Sequence, residues 1–386
     1  MKIKSIRAFP FRRPAPDVSG KCRAGWQDDA EVANPMSRYP RYKARRAYWR
    51  PALDAIGCLV TAEDGSWGFG TGRMGAPAIS IINDHLGKLL EGEPCLATER
   101  LWDMMYRLAS PYSAAGMASY AISAIDLALW DLKGRVLGRP VYELLGGPAR
   151  DRIECYATGN DTDWYMELGF RATKLACPYG PADGLDGLAG NERLVAKARE
   201  LIGDEIDLML DCWMAFDVEF AVRLAERLRP YRLKWIEDCL IPEDFDGFAE
   251  MRRRLPWISL ATGEHWYAVL PFFHAAKHAL VDIFQPDIEW VGGVTACAKI
   301  CHIAEASGRS VMLHAGMNTL YGQHLTYAMP SATWGEYFVH APPAVPLAQM
   351  TVIPGTPVPD RGAVNPPDAP GFGMDIDLKW IEASAG

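Results

Sequence analysis

Three short apolar runs decide the fold: Asp207-Leu-Met-Leu-Asp-Cys-Trp213, Leu233-Lys-Trp-Ile-Glu-Asp-Cys-Leu240 and Ile258-Ser-Leu-Ala-Thr-Gly-Glu-His-Trp-Tyr267. Runs of this length and composition predict parallel strands buried on both faces, where the strict alternation of apolar and polar residues is lost. Each run carries a carboxylate near its end, at Asp211, Glu237 and Glu264. The 26 residues from the first carboxylate to the second, and the 27 from the second to the third, leave room for one crossover helix each.

These three carboxylates are predicted to meet at one mouth, because the carboxyl ends of neighbouring parallel strands lie at the same edge of a sheet. Like charges at close range repel, so such a trio needs a cation. An all-oxygen ligand set favours a hard ion, which predicts Mg²⁺. A single acidic residue at a strand end is usually a helix cap or solvated. The recurrence in three consecutive units is what favours a metal site.

Length and composition bound the class of protein. A chain of 386 residues that is 49% hydrophobic and 23% charged can form one large α/β domain with an appendage, or two domains. The net charge of −8 argues against a nucleic-acid partner. Nine scattered cysteines without a disulfide framework favour a reducing cytoplasm. No apolar run reaches the length of a membrane span, so no membrane partner is expected.

The first third of the chain is predicted to form an α+β capping domain over residues 1–125. Its strands are Ile3–Phe9, Ala55–Ala62 and a third through Trp67–Gly72, arranged as an antiparallel sheet. The connection from about 12 to 48 has no periodicity of its own, and its aromatic residues suit a lid that packs over a site. Helical patterns follow at 79–90, 97–108 and 118–138.

Strands and helices alternate from Asp151 onward. Eight βα units predict a closed (β/α)8 barrel, a modified TIM barrel, over residues 126–345. The Pro-rich tail, 346–386, is expected to return to the capping domain. No G-x-G-x-x-G follows the early strands, which argues against a dinucleotide fold. The candidate strands are Ile153–Ala157, Ala172–Cys177, Asp207–Trp213, Lys234–Cys239, Ser259–Glu264, Ile283–Asp287, Ser310–Ala315 and Ala332–Phe338.

Later strand ends carry the residues expected to do chemistry: Asp287, His314 and Glu336. A carboxylate beside an imidazole fixes its tautomer and raises its pKa, so Asp287 would make His314 a general base. Lys174, in the second strand, could be a second base, an electrostatic aid or a snorkelling lysine. His265 directly follows Glu264 and can reach substrate if the strand has already ended there.

The sequence resembles the enolase superfamily, mandelate racemase subgroup, and is most similar to the L-rhamnonate dehydratases. The resemblance covers nearly the whole chain, and the Asp-Cys-Trp-Met and Gly-Glu-His runs are its specific part. The matching stretches are Asn34-Pro-Met-Ser-Arg-Tyr39, Ile125-Asp-Leu-Ala-Leu-Trp-Asp-Leu132, Pro140-Val-Tyr-Glu-Leu-Leu-Gly-Gly147, Tyr156-Ala-Thr-Gly159, Leu210-Asp-Cys-Trp-Met214, Lys234-Trp-Ile-Glu237, Gly263-Glu-His265, Gln285-Pro-Asp287, Gly292-Gly293 and Pro370-Gly-Phe-Gly373.

The resemblance implies a role for each candidate residue. Asp211, Glu237 and Glu264 would bind Mg²⁺, and His314 with Asp287 would form the base dyad. Glu336, protonated, would donate a hydrogen bond to the substrate carboxylate, His265 would contact a substrate hydroxyl, and Arg46 in the lid would help hold the anion. The subgroup's second lysine is replaced by Ala176, which weakens a racemase interpretation. The lid near Gly25-Trp26 lacks the family's histidine, and Ala315-Gly-Met-Asn318 departs from the Gly-Ser-Ser of relatives.

The expected reaction is the dehydration of an acid sugar in carbohydrate catabolism. His314 would remove the C2 proton, the 3-hydroxyl would leave as water, and the product would be a 2-keto-3-deoxy acid. L-rhamnonate comes first among substrates, with L-lyxonate and L-mannonate close behind. Alternatives are a racemase, epimerase or cycloisomerase, and a non-catalytic binding protein on the same scaffold. A homo-oligomer is expected from relatives of this fold.

Overall fold

A small antiparallel sheet caps the molecule in the computed structural model, which describes residues 1–12, 16–29, 31–43 and 54–385. Its strands, in spatial order, are β1 (Ile3–Pro10), β2 (Ile56–Ala62) and β3 (Trp67–Gly72). They agree with the three predicted strands. The sheet lies close against the helix over Met117–Leu137, and a Cβ atom at Gly68 would collide with the helix backbone at Ala128. Glycine is therefore required there by close approach.

Helices cover much of the remaining chain. The helices are α1 (Trp26–Asp29), α2 (Pro40–Lys43), α3 (Gly75–Ser80), α4 (Gly87–Leu90), α5 (Thr98–Ala109), α6 (Met117–Leu137), α7 (Val141–Leu144), α8 (Thr162–Glu167), α9 (Gly184–Ile202), α10 (Val218–Leu228), α11 (Phe245–Arg254), α12 (Leu270–His278), α13 (Gly293–Ala306), α14 (Leu320–Ala328) and α15 (Leu378–Ser384). A π-helical turn, Ile81–Leu86, joins α3 to α4, so the predicted helix 79–90 is one continuous segment of mixed geometry. The pattern at 118–138 corresponds to α6, which ends at Gly138 in the left-handed region (φ 63°).

Eight parallel strands form the curled sheet that the sequence predicts, most of them shorter than expected. The strands are β4 (Ile153–Thr158), β5 (Ala172–Ala176), β6 (Asp207–Asp211), β7 (Trp235–Glu237), β8 (Ser259–Thr262), β9 (Ile283–Phe284), β10 (Ser310–Val311) and β11 (Gly335–Phe338). Their spatial order runs β10-β9-β8-β7-β6-β5-β4-β11. A parallel bridge between Val311 and Ala332, just before β11, joins the two ends of the sheet into a barrel.

Side chains fill the barrel interior. The rings of Tyr156 and Trp235 meet edge to face at 5.4 Å, and Trp334 packs against both. Met209 and Ala261 from neighbouring strands belong to the same buried cluster. The barrel is therefore a packed core, and a ligand site must lie at its carboxyl-terminal mouth.

The described part of the predicted lid lies against the barrel. Arg23 pairs with Asp161 at 2.5 Å, and the Trp26 ring packs on Phe338 with centroids 5.7 Å apart. The backbone N–H of Ala33 donates to a barrel carbonyl at 2.7 Å. These contacts lie at the carboxyl-terminal ends of the barrel strands, and a lid over 12–48 remains a prediction.

The C-terminal tail contacts both parts of the molecule. β12 (Ala363–Val364) pairs antiparallel with β4 of the barrel. Trp380, in α15, packs on Phe11 and Phe69 at the capping sheet, with centroids 5.8 and 6.3 Å apart. The tail thus returns to the sheet as expected, while the domain boundaries near 125 and 345 remain predictions. Within the described ranges, no helix has the length and apolar character needed to cross a membrane.

Candidate active site

The dyad of His314 and Asp287 lies at the barrel mouth. Nδ1 of His314 is 2.8 Å from Oδ2 of Asp287, and its Nε2 is 2.8 Å from Oε2 of Glu264. The Trp290 ring packs against the imidazole at 4.9 Å. Burial lowers the pKa of His314, but Glu264 and Asp287 outweigh it and raise the pKa well above the ordinary value. The structure brings His314 and Asp287 together as the strand ends predict, and the Nε2 atom of His314 faces Glu264.

Asp211 and Glu237 end neighbouring strands at the same level. Their Cα atoms are partners in the β6–β7 register. The backbone N–H of Trp213 donates to Oδ1 of Asp211 at 2.9 Å. Burial, and then repulsion by Glu237, raise the pKa of Asp211 well above its ordinary value. Two carboxylates that disfavour each other's charge are the arrangement a cation would relieve.

Glu237 is turned toward the barrel interior. Its Oε1 pairs with the Lys174 ammonium, and its Oε2 accepts from Gln285 Nε2 at 2.6 Å and from Trp235 Nε1 at 3.0 Å. Consequently Asp211, Glu237 and Glu264 do not bring ligand atoms within 4.8 Å of one another. The group that does so among the described residues is Asp238, Glu264 and His265. The predicted trio therefore remains a prediction.

Lys174 is buried in the barrel and connects three strands. Besides Glu237 on β7, its Nζ lies 2.8 Å from Oε1 of Glu336 on β11. Burial lowers the pKa of Lys174, but both carboxylates outweigh it and raise the pKa well above the ordinary value. A lysine held this firmly as an ammonium is neither a snorkelling lysine nor a base. Of the three alternatives for Lys174, the structure favours the electrostatic one.

The environment of Glu336 favours its ionised form. Its Oε1 also accepts from the Thr158 hydroxyl at 2.5 Å, and its Oε2 accepts from the Ala315 N–H at 3.0 Å. Burial raises the pKa of Glu336, yet Lys174 and His314 outweigh it and leave the pKa below the ordinary value. The described partners therefore favour the ionised form of Glu336 in this arrangement, and a protonated Glu336 that donates to a substrate carboxylate remains a prediction.

His265 lies beside the acids, as the end of β8 at Thr262 allows. Its Nδ1 is 3.2 Å from Oε1 of Glu264 and 3.3 Å from Oδ2 of Asp238, without hydrogen-bond alignment to either. Burial lowers the pKa of His265, but Glu264 and Asp238 outweigh it and raise the pKa. Its contact with a substrate hydroxyl remains a prediction. Arg46 lies outside the described residues.

A cavity of about 560 Å³ opens above the dyad. Asp287, Trp290 and His314 line it from the barrel mouth. Thr71 and Arg73 line it from the capping sheet, and the tail segment 349–353 closes another side. The cavity is large enough for an acid sugar and reaches from the dyad to the cap.

Sequence reasoning missed several residues of the site. Asp238 follows Glu237, so strand alternation would send it to the opposite face. The backbone of Asp238 instead turns into the left-handed region (φ 49°), and Thr262 Oγ1 donates to it at 2.6 Å. Trp290 follows Asp287 by three residues, and its aromatic character was the one available signal. Arg73 carries no signal in its local sequence.

Comparison with known proteins decides the family. Residues 161–380 match the enolase C-terminal domain-like family, and residues 56–146 match the mandelate racemase / muconate lactonizing enzyme N-terminal domain. The chain belongs to the enolase superfamily. The capping sheet, the barrel and the carboxylates at its mouth are the parts of this architecture found in the structure.

Relatives within the superfamily include dehydratases and a racemase. The chain is 39% identical to the L-rhamnonate dehydratase of Saccharopolyspora erythraea, over 98% of this chain and 97% of that protein. Rhamnonate dehydratase from Gibberella zeae, complexed with Mg, superposes with a TM-score of 0.90 at 32% identity, covering 99% and 95% of the two chains. A racemase from Streptomyces coelicolor A3(2) with bound magnesium superposes with a TM-score of 0.81 at 26% identity, covering 100% of both chains.

Proposed function

We propose that the chain is a Mg²⁺-dependent hydro-lyase that dehydrates an acid sugar to a 2-keto-3-deoxy acid. L-rhamnonate is the preferred candidate for the substrate, followed by L-lyxonate and L-mannonate. The observation that carries the proposal is the orientation of His314, whose Nδ1 is held by Asp287 while its Nε2 faces Glu264 at the mouth. The full-length similarity to L-rhamnonate dehydratases supports the same reaction.

Asp211, Glu237 and Glu264 are the residues that would hold Mg²⁺. The chemistry of these donors fits this ion, because all three offer carboxylate oxygens from successive strands. In the arrangement described here Glu237 is paired with Lys174, so it would have to turn toward Asp211 and Glu264 to share an ion with them. The raised pKa of Asp211, caused by burial and by Glu237, marks a buried charge that is only partly compensated within the protein. When bound, Mg²⁺ neutralises a substrate carboxylate and so makes the adjacent C–H more acidic.

The protein's own groups then perform the proton transfers. Asp287 holds the Nδ1–H of His314, so Nε2 can accept the C2 proton of the acid sugar. The imidazolium that results is stabilised by the same carboxylate, and it returns the proton to the departing 3-hydroxyl, which leaves as water. The remaining enol tautomerises to the 2-keto-3-deoxy acid. The Lys174 ammonium adds a fixed positive charge beneath the mouth, where negative charge develops on the substrate.

The direct test replaces His314 by asparagine. His314→Asn should abolish exchange of the C2 proton of L-rhamnonate in deuterated water, because no base remains at the position of Nε2. The matched control is His302→Asn, which changes an exposed histidine on α13. Exchange at the wild-type rate in His314→Asn would remove His314 from this role.

A racemase is the main alternative in the same superfamily. Racemisation needs a second base on the opposite face of the substrate carbon. Ala176 is the Cα partner of Asp211 in the β5–β6 register, and its methyl group can accept no proton. This favours dehydration. Keto-acid formation across a set of aldonates, measured with semicarbazide, separates a dehydratase from a racemase, an epimerase and a non-catalytic binding protein.

A further inference from the structure

The capping sheet supplies one wall of the cavity, and on that wall lies a cation, Arg73, without a hydrogen-bond or ion-pair partner among the described residues. Arg73 directly follows β3 and lines the same cavity as His314. Its Nε–H is buried and has no hydrogen-bond partner, and no carboxylate of the described residues forms an ion pair with its guanidinium. A buried donor without an acceptor destabilises the folded protein. A ligand that accepts from Arg73 would remove that destabilisation.

The charges around Arg73 restrict what this ligand group can be. Three carboxylates, those of Asp17, Asp287 and Glu289, line the same cavity. Each accepts a hydrogen bond from another group of the protein, so none of them depends on Arg73. A ligand carboxylate at Arg73 would share the cavity with these three carboxylates, and only Asp287 among them is paired with a basic group of the described residues, His314. An uncharged oxygen acceptor avoids repulsion by these carboxylates.

We infer that Arg73 is a specificity-determining residue, which donates to a vicinal pair of hydroxyl groups at the end of the substrate remote from its carboxylate. The inference rests on the proposed function. The planar guanidinium presents two N–H groups side by side, which matches two adjacent oxygens. Since Arg73 belongs to the cap and the dyad to the barrel mouth, one ligand that reaches both must extend across the cavity. Arg73 therefore selects aldonates of five or six carbons over short aldonates, and over aldarates with a second carboxylate.

The test compares Arg73→Met and Arg73→Lys with the wild type on three ligands: L-mannonate, a four-carbon aldonate and a six-carbon aldarate. Loss of one or two hydrogen bonds to a charged donor weakens the affinity for a ligand by roughly 10- to 100-fold. KM for L-mannonate should rise by that factor in Arg73→Met, with kcat changed by less than about 3-fold. KM for the four-carbon aldonate should stay within about 2-fold, because that ligand lacks the second remote hydroxyl.

Arg73→Lys should recover part of the L-mannonate affinity, since an ammonium still donates but cannot bind two oxygens in one plane. The matched control is Arg171→Met, which removes an exposed arginine just before β5. Arg171→Met should leave KM for all three ligands unchanged.

Two results would overturn the inference. One is an equal change of KM for L-mannonate and the four-carbon aldonate, including no change for either. The other is a wild-type preference for the aldarate that Arg73→Met abolishes, which would assign Arg73 to a carboxylate. Dissociation constants from calorimetry accompany the kinetics. If the wild type forms no keto acid from any ligand, the dehydratase proposal fails, and the effect of Arg73→Met on L-mannonate binding still decides the role of Arg73.

Discussion

A buried histidine should make the protein sensitive to acid. His324, on α14, is fully buried; its Nδ1 accepts from the Tyr142 N–H at 3.3 Å, and its Nε2 donates to the Phe372 carbonyl at 3.2 Å. Both bonds require a neutral ring with the proton on Nε2. Burial lowers the pKa of His324 to about 3. The residue ties the barrel to the C-terminal tail, whose earlier part lines the cavity.

The lowered pKa fixes the sign and the size of the effect. In the unfolded chain a histidine has a pKa of about 6.5, so below that pH the unfolded state binds a proton that the folded state does not. The free energy of unfolding therefore falls as the pH falls from about 6.5 toward about 3. Between about pH 7.5 and about pH 5, the folded-state and unfolded-state pKa values of His324 together lower the free energy of unfolding by about 2 kcal/mol.

Urea unfolding followed by far-UV circular dichroism at these two pH values measures this loss. His324→Gln removes the titrating group. On acidification, the free energy of unfolding of the wild type should therefore fall by about 2 kcal/mol more than that of the variant. The comparison between proteins cancels the titration of His265 and His314, which both contain. His302→Gln, at an exposed position, should keep the wild-type loss. An equal loss in wild type and His324→Gln would refute the neutral, buried state of this ring.

Three further predictions concern the site. Asp287→Asn should lower kcat for keto-acid formation by about 10²- to 10⁴-fold, because an amide no longer stabilises protonated His314; an unchanged kcat would argue against the dyad. Lys174→Met should lower the free energy of unfolding in EDTA by about 3–5 kcal/mol, because Glu237 and Glu336 stay buried without their counter-charge. Adding Glu336→Gln to Lys174→Met should restore part of that stability, and a fully stable single variant would contradict the pairing. Chelation should abolish keto-acid formation, and Mg²⁺ at about 100 times its Kd should raise the free energy of unfolding by about 2.7 kcal/mol; equal stability with and without Mg²⁺ would count against the site.

The barrel could be predicted because its signals are local. A strand buried on both faces leaves an apolar run, and one crossover helix sets the distance to the next run. The same runs carry Asp211, Glu237 and Glu264 at their ends. The adjacent strand ends also placed Asp287 beside His314, and the structure has Nδ1 and Oδ2 at 2.8 Å.

Contacts across the barrel could not be predicted in this way. Lys174 on β5 contacts Glu336 on β11. The first strand of the barrel, β4, lies between β5 and the last strand, β11, so closure of the barrel brings these distant parts of the chain together. No local sequence pattern predicts this contact between Lys174 and Glu336. The Lys174 ammonium stabilises Glu336 as a carboxylate in this arrangement, and its separate pair with Glu237 holds that side chain toward the barrel interior.

The amino-acid sequence alone determined the superfamily architecture and the residue types at the mouth, since periodicity and spacing act over a few residues at a time. The folded arrangement decided the partners and charge states of Lys174 and Glu336, and it brought Arg73 from the cap to the cavity of His314. Ionisation and hydrogen bonding depend on burial and on distances of a few ångströms. Those distances are set by packing between elements that lie far apart in the chain.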